Sequence, residues 1–338
     1  MGRPRERHQD DQEIAGLSAS GLRCRSKARH ALEHGECIRE PFESRRRAAG
    51  CFPVSRAMMT IRNTMDAFIC TACGTQYAPS SGPPQSCAIC EEERQYVPAG
   101  GQKWTTLPVL AATHFNSYRQ YEPGLIGIGS QPSFAIGQRA LVVCTPNGNV
   151  LWDCIAMLDA ATVTLVKSLG GLQAIAISHP HFYTTMVEWS RALGGVPIHL
   201  HADDHCWIMR PDPSIQLWNG ETLELLPEVK LIRCGGHFQG GTVLHWATGA
   251  GGRGVLCSSD IATVTTDRKF LSFMRSYPNL IPLSAKQVTR IAAALASFEF
   301  DTIYGHYFDR VIPTGGKHVL EMSINRYVAA IEGAYNDA

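Results

Sequence analysis

No apolar run in the sequence approaches the roughly 20 residues a helix needs to cross a bilayer. A helical span, and with it a membrane partner, is therefore not expected. The N-terminus carries arginines but no apolar stretch behind them, which argues against a secretory signal. Net charge is nearly absent, at +1. Its basic excess is confined to the first 60 residues, and the rest of the chain is mildly acidic. A main body of that sign lacks the electrostatic footprint of nucleic-acid binding. Residues 1–64 lack a sustained apolar period. They are rich in Arg, Glu, His and Ser, with a basic cluster at Arg45-Arg46-Arg47, and read as a disordered tail. Acidic residues within that tail count against an organelle-targeting peptide, and Met58, Met59 and Met65 are alternative starts. Apolar content is not lacking: 44% of the 338 residues are hydrophobic, enough to bury the core of one large domain with a small module beside it.

The 12 cysteines lack the spacing of a disulfide framework. Eight of them, Cys24, Cys37, Cys51, Cys144, Cys154, Cys206, Cys234 and Cys257, are scattered, several within strand-like apolar runs where a free thiol behaves as a small hydrophobe. This pattern suits a reducing, cytoplasmic compartment. The other four are ordered: Cys70-x2-Cys73, thirteen residues, then Cys87-x2-Cys90. Each Cys-x2-Cys turn can place two thiolates on one tetrahedral metal, and Gly74 lets the backbone curl around the first pair. The module, over residues 65–98, resembles a zinc ribbon or rubredoxin-like knuckle pair. Zinc is the default ion in such a site, and iron is the alternative.

From residue 103 to 338 the pattern is that of an α/β domain. Ala140–Cys144 and Asn149–Asp153 read as a hairpin closed by Asn147-Gly148. An isoleucine-rich run at 174–177 ends in the elbow Ser178-His179-Pro180-His181-Phe182-Tyr183-Thr184, with a helix to Leu193 behind it. Ser284-Ala285-Lys286-Gln287 reads as a capping box opening a helix, and a final helix carries Ile324, Tyr327, Val328 and Ile331 on one side. Polar residues recur just past the apolar runs: Asp153, His179 with His181, His237, Asp260 and His306. Side chains of those types gathered at one sheet edge are what a metal site requires. Gly127 and Gly129 precede no helix start, so no nucleotide fingerprint is read there. His114 and His245 are read as structural.

In order, spacing and local motif, residues 105 to 335 resemble the metallo-β-lactamase superfamily, which includes glyoxalase II and lactonases. The resemblance implies a four-layer αβ/βα sandwich. The family's signature is His-x-His-x-Asp-His; here His179 and His181 match, while Tyr183 and Thr184 stand where the Asp and last His belong. The resemblance carries Gly236-His237, Asp260 and His306 onto the family's later ligands. It implies an intact three-histidine zinc site (His179, His181, His237), with Asp260 and His306 remaining from a second one, hence one ion or two. Such an ion supplies Lewis acidity and a hydroxide near neutral pH. Asp260 is the expected residue to orient the water, and Tyr183 is a candidate oxyanion donor. A rival stretch, His199-x-His201-x-Asp203-Asp204-His205, follows the helix and has one residue too many, but its His201 or Asp203 is a candidate substitute ligand.

The expected function is a metal-dependent hydrolase attacking an ester, thioester or lactone carbonyl of a small-molecule substrate. The alternative is a non-enzymatic binding or adaptor protein with a degenerate site and a zinc ribbon that meets a protein partner. An iron protein handling oxygen or electrons is a third reading, supported only by the four cysteines.

Overall fold

The computed structural model describes residues 65–336, so the expectation of a disordered tail over residues 1–64 lies outside it. Two mixed sheets pack face to face. In the first, Phe115–Glu122 (β1), Leu125–Gln131 (β2), Arg139–Thr145 (β3) and Gly148–Trp152 (β4) are antiparallel, and Ala174–Ala176 (β5), Ile198–His201 (β6) and Ile215–Trp218 (β7) continue in parallel. The second runs Thr222–Leu226 (β8), Val229–Arg233 (β9), Thr242–Trp246 (β10), Val255–Cys257 (β11), Thr302–Tyr304 (β12) and Val311–Ile312 (β13), in that spatial order.

The strands read as continuous apolar runs because both of their faces are buried. Alternate residues point to opposite faces of a sheet. Leu141, Val143, Val150 and Trp152 meet Leu231, Leu244, Val255 and Cys257 between the sheets. Their chain neighbours Ala140, Val142 and Leu151 face outward against Val166 of the helix Ala160–Ser168 (α1) and Val187 and Trp189 of Met186–Ala192 (α2). On the far side, Ile232, Val243 and Leu256 meet Val288, Ile291 and Leu295 of Ala285–Leu295 (α3) and Leu320 of Gly316–Ile331 (α4). The layers are thus helix, sheet, sheet, helix, the four-layer αβ/βα sandwich expected from the sequence.

Local chemistry sets the element ends. Ser284 caps α3 with the reciprocal Gln287 contact of a capping box. In α4, Ile324, Tyr327 and Val328 pack on the core, whereas Ile331 lies partly in solvent. No helix among the described residues is long and apolar enough to cross a membrane.

The cysteine segment packs against the sandwich in one compact unit. Ile69–Cys70 pairs antiparallel with Trp104–Thr105, and Ala88–Glu91 forms a single helical turn. Gly74 adopts φ +83°, and a Cβ there would sit 3.3 Å from Ala135 Cβ and 3.4 Å from Thr184 Cγ2. This glycine therefore serves two needs: a left-handed turn after the first cysteine pair, and close approach to the elbow. Next along the chain, the Gln76 backbone N–H donates to Thr184 O at 3.2 Å. The Gln76 side chain joins Arg210 and Glu188 in a buried polar cluster, with Arg210 Nη1 2.6 Å from Glu188 Oε1. On the other sheet's side, Asn279 Nδ2 donates to the carbonyls of Glu93 and Gln95.

Candidate metal centre

The polar residues that the sequence scatters between positions 179 and 306 come together at one end of the two sheets. His179 and His181 follow β5, His237 follows β9, Asp260 follows β11 and His306 follows β12. His179, His181, His237 and Asp260 are buried, and each offers a donor atom within 4.8 Å of the other three. His237 Nε2 lies 3.2 Å from His181 Nδ1. Asp260 Oδ2 lies 3.5 Å from His179 Nε2 and 4.0 Å from His237 Nε2. His306 stands beside this group, its Nδ1 2.9 Å from Asp260 Oδ1.

Two of the rings have a partner on their outward-facing nitrogen. His237 Nδ1 meets Met274 O at 3.0 Å, and His179 Nδ1 meets Ser178 Oγ at 2.8 Å. Each contact fixes a ring so that its Nε2 faces the centre, as metal-binding imidazoles require. Among the described residues, His179 Nε2 and His181 Nε2 are buried without a hydrogen-bond partner, and Asp260 Oδ1 and His306 Nδ1, though 2.9 Å apart, are not aligned for a hydrogen bond. Orphaned polar atoms in a buried cluster call for a ligand, and His179, His181, His237 and Asp260 bring their donor atoms close enough to share a cation, so the donor set fits a metal.

Burial, reinforced by His237 and His179, holds His181 well below the ordinary histidine value, and burial with His179 pushes His237 down to about 3. Both are therefore neutral, the form that ligates. Burial alone would raise Asp260, but His306 and His179 hold its carboxyl well below the usual range. An ionised carboxylate thus sits beside the neutral imidazoles of His181 and His237.

Backbone strain marks the same place. Asp153, Thr184 and Ser259 all have positive φ, at 60°, 37° and 49°. Left-handed backbone is uncommon outside glycine and rare for β-branched residues such as Thr184. Asp153 is a supporting residue: its Oδ1 accepts the Ser178 N–H at 2.8 Å and so anchors the start of the elbow.

Tyr183 needs correction. It packs in the core with Phe182, Met186 and Val187, and it does not line the cavity. The 3-10 turn Pro180–Phe182, followed by the left-handed Thr184, aims the two histidines at the cavity and sends the tyrosine the other way. An oxyanion role for Tyr183 is therefore dropped.

The rival stretch also settles. His201 is engaged with Gly220 O and the Asp203 N–H, Asp203 pairs with Arg233, and His205 Nδ1 meets Ala202 O. Among the described residues, none of these joins the four-donor group. Asp204 is the residue of that stretch that matters most to the centre, and sequence reasoning missed its role. Buried, it accepts the Gly240 N–H at 2.9 Å and so braces the loop that carries His237. A Cβ at Gly240 would sit 2.8 Å from Asp204 Oδ2, so only glycine fits there. His245 bonds Glu299 O at 2.8 Å and His114 bonds Thr113, both away from the centre.

A cavity of about 320 Å³ opens onto the centre. His181, His237, Asp260 and His306 form its floor, and Tyr277 and Tyr307 form part of its wall. The cysteine segment supplies another part, through Ala72, Arg94, Gln95 and Tyr96.

A second centre lies within that segment. Cys70, Cys73, Cys87 and Cys90 are buried, with Cys70 Sγ to Cys90 Sγ and Cys73 Sγ to Cys87 Sγ both 3.6 Å. Four thiolates on one tetrahedral ion with bonds of about 2.3 Å stand about 3.8 Å apart, and a disulfide would need about 2.05 Å. The geometry is that of a four-cysteine metal site. Gln102 Nε2 adds an N–H contact to Cys70 Sγ at 3.0 Å.

The four-layer sandwich is the metallo-β-lactamase fold, as the motifs implied. More particularly, the chain belongs to the family of YmaE of Bacillus subtilis (strain 168), described as an uncharacterized protein, with 45% identity over 269 residues covering 79% of this chain and 97% of that one. No family model matches the sequence. Among solved structures the chain is similar to a metallo-β-lactamase of Cronobacter sakazakii, at 18% identity and TM-score 0.43, covering 65% of this chain and 97% of that one. It is also similar to the metallo-β-lactamase DIM-1, at 12% identity and TM-score 0.48, covering 64% and 97%.

Proposed function

We propose that the protein is a metal-dependent hydrolase of a small molecule with an ester, thioester or lactone carbonyl. The observation that carries this reading is the convergence of His179, His181, His237 and Asp260 at the floor of an open cavity, with two of the rings already locked by outer contacts. The three histidines and Asp260 would hold the ion, with zinc the ion that best suits this donor set. When bound, a zinc ion supplies Lewis acidity and lowers the pKa of water toward neutrality.

The chain's own residues supply the rest. Asp260 is ionised and lies beside His306, so Asp260 Oδ1 can accept a hydrogen bond from an attacking water and orient it, with His306 Nδ1 held 2.9 Å from the same oxygen. Tyr277 Oη donates to Asp260 O and fixes the backbone that presents the carboxylate. The four-cysteine site would take zinc as a structural ion whose binding contributes to folding. A cytoplasmic location agrees with its reduced thiols.

The adaptor reading, with a protein partner at the cysteine segment, draws support from the loss of the signature Asp and His at Tyr183 and Thr184. An accessible cavity over a complete four-donor set favours the hydrolase. The deciding experiment is a hydrolysis screen of ester, thioester and lactone substrates on zinc-loaded protein, with His181→Ala as control. The hydrolase reading predicts turnover that the variant loses by at least about a hundredfold. Equal inactivity of both proteins across the screen would favour the adaptor.

A further inference from the structure

The cavity contains one feature that the hydrolase chemistry leaves unused. Arg94 lies four residues beyond Cys90, and its guanidinium stacks on the Phe238 ring at 4.2 Å. Phe238 in turn touches the rings of His179, His181 and His237. The arginine side chain is only 13% exposed. Its backbone is held from both sides: the Arg94 N–H donates to Glu92 Oε2 at 2.8 Å, and Arg94 O accepts from Ser276 Oγ at 3.2 Å. One arm of the guanidinium is paired, with Nη1 3.1 Å from Glu92 Oε1. Among the described residues, Nε is buried and has no hydrogen-bond partner. Glu92 is itself shared with Arg275, whose Nη2 lies 3.6 Å away.

A guanidinium offers five N–H donors in a planar fork and cannot be discharged at neutral pH. Burying one with an unpaired donor is costly unless a ligand completes it. At the wall of a cavity whose floor carries the proposed metal site, the ligand that completes a guanidinium is an oxyanion, bound through charge-assisted hydrogen bonds. We propose that Arg94 is a specificity-determining residue, and that the substrate carries a carboxylate or phosphate which Arg94 receives while the scissile carbonyl lies over the histidines. The anionic group deepens the hydrolase reading and rests on it. It also gives the four-cysteine segment a function, since that knuckle fold is what carries the cation into the cavity.

The test compares wild type, Arg94→Ala, Arg94→Lys and Glu92→Gln as full-length, metal-loaded chains with matched metal content. Succinate and inorganic phosphate are the calorimetric probes. Contacts of either anion with a metal are common to all four proteins, so differences report the arginine. Arg94→Ala should weaken at least one anion by about ten- to a hundredfold, with Arg94→Lys retaining part of the affinity. Whichever anion responds identifies the group. Glu92→Gln releases the paired arm and should tighten the same anion, a gain that general destabilisation cannot imitate. Unchanged affinity for both anions in Arg94→Ala, or weakening of the responding anion in Glu92→Gln, would overturn the proposal. In parallel, mono-p-nitrophenyl succinate and p-nitrophenyl butyrate separate this idea from the hydrolase reading. Arg94→Ala should raise KM for the anionic ester alone, and an equal rise for both would also overturn it. If wild type cleaves neither ester, the hydrolase reading is what suffers, and the calorimetry still decides the role of Arg94.

Discussion

At the scale of single residues, the centre is built by side chains whose environments fix their charge before any ligand arrives. Asp153 illustrates the cost of that preparation. Burial pushes its carboxyl up to about 6, whereas an unfolded aspartate titrates near 3.9. The folded chain therefore favours the neutral acid. That contribution is complete below about pH 4 and is lost as pH rises through 6, a swing of about 3 kcal/mol. Asp153→Asn keeps an oxygen to accept the Ser178 N–H and removes the titration. Urea unfolding between pH 4 and 8 should accordingly show a decline in wild-type stability that is about 3 kcal/mol smaller in the variant. Identical pH profiles would show that Asp153 does not titrate in this window. Tyr183 teaches a complementary lesson: its position in the motif suggested the cavity, but one left-handed residue after it decides where the ring goes.

At the scale of elements, the most consequential contact is between the cysteine knuckle and the histidine elbow. Gly74 presses on Thr184, and the Gln76 backbone donates to the same residue. Thr184 stands where the family signature has its last histidine, so the docked knuckle and the missing ligand occupy one place. Gly74→Ala would force a side chain into left-handed backbone and against Ala135, costing about 1–3 kcal/mol; a lower melting temperature with faster loss of the thiolate-bound metal to a chelator would register it. The Glu188–Arg210–Gln76 cluster is the second fastening. Glu188→Ala leaves Arg210 buried without its carboxylate and should cost about 3 kcal/mol in urea unfolding. A loss under about 0.5 kcal/mol, the range of an ordinary surface substitution, would mean that the cluster does not hold the segment in place.

At the scale of the whole molecule, the fold was largely legible, and the reason is the strands. Runs such as Ala140–Cys144 and Val255–Cys257 are apolar on both faces, which only a sheet covered on both sides explains. The donors were legible because each histidine or aspartate stands just past such a run. Contacts between distant segments were not. Nothing in local sequence places Asp204 against Gly240, or carries Arg94 over Phe238, because those contacts depend on how loops from different sheets meet. The cysteine spacing announced a metal knuckle, yet it said nothing of that knuckle becoming a wall of the cavity.

The central claim is that this chain holds two independent metal centres, one made of four thiolates and one made of histidines with Asp260. Metal analysis of the full-length protein after zinc loading tests it most directly. The account predicts two equivalents per chain. One should be lost in Cys70→Ser/Cys73→Ser, and the other in His179→Ala/His237→Ala while the thiolate-bound metal stays. A wild type that binds a single equivalent, unaffected by the histidine substitutions, would contradict it.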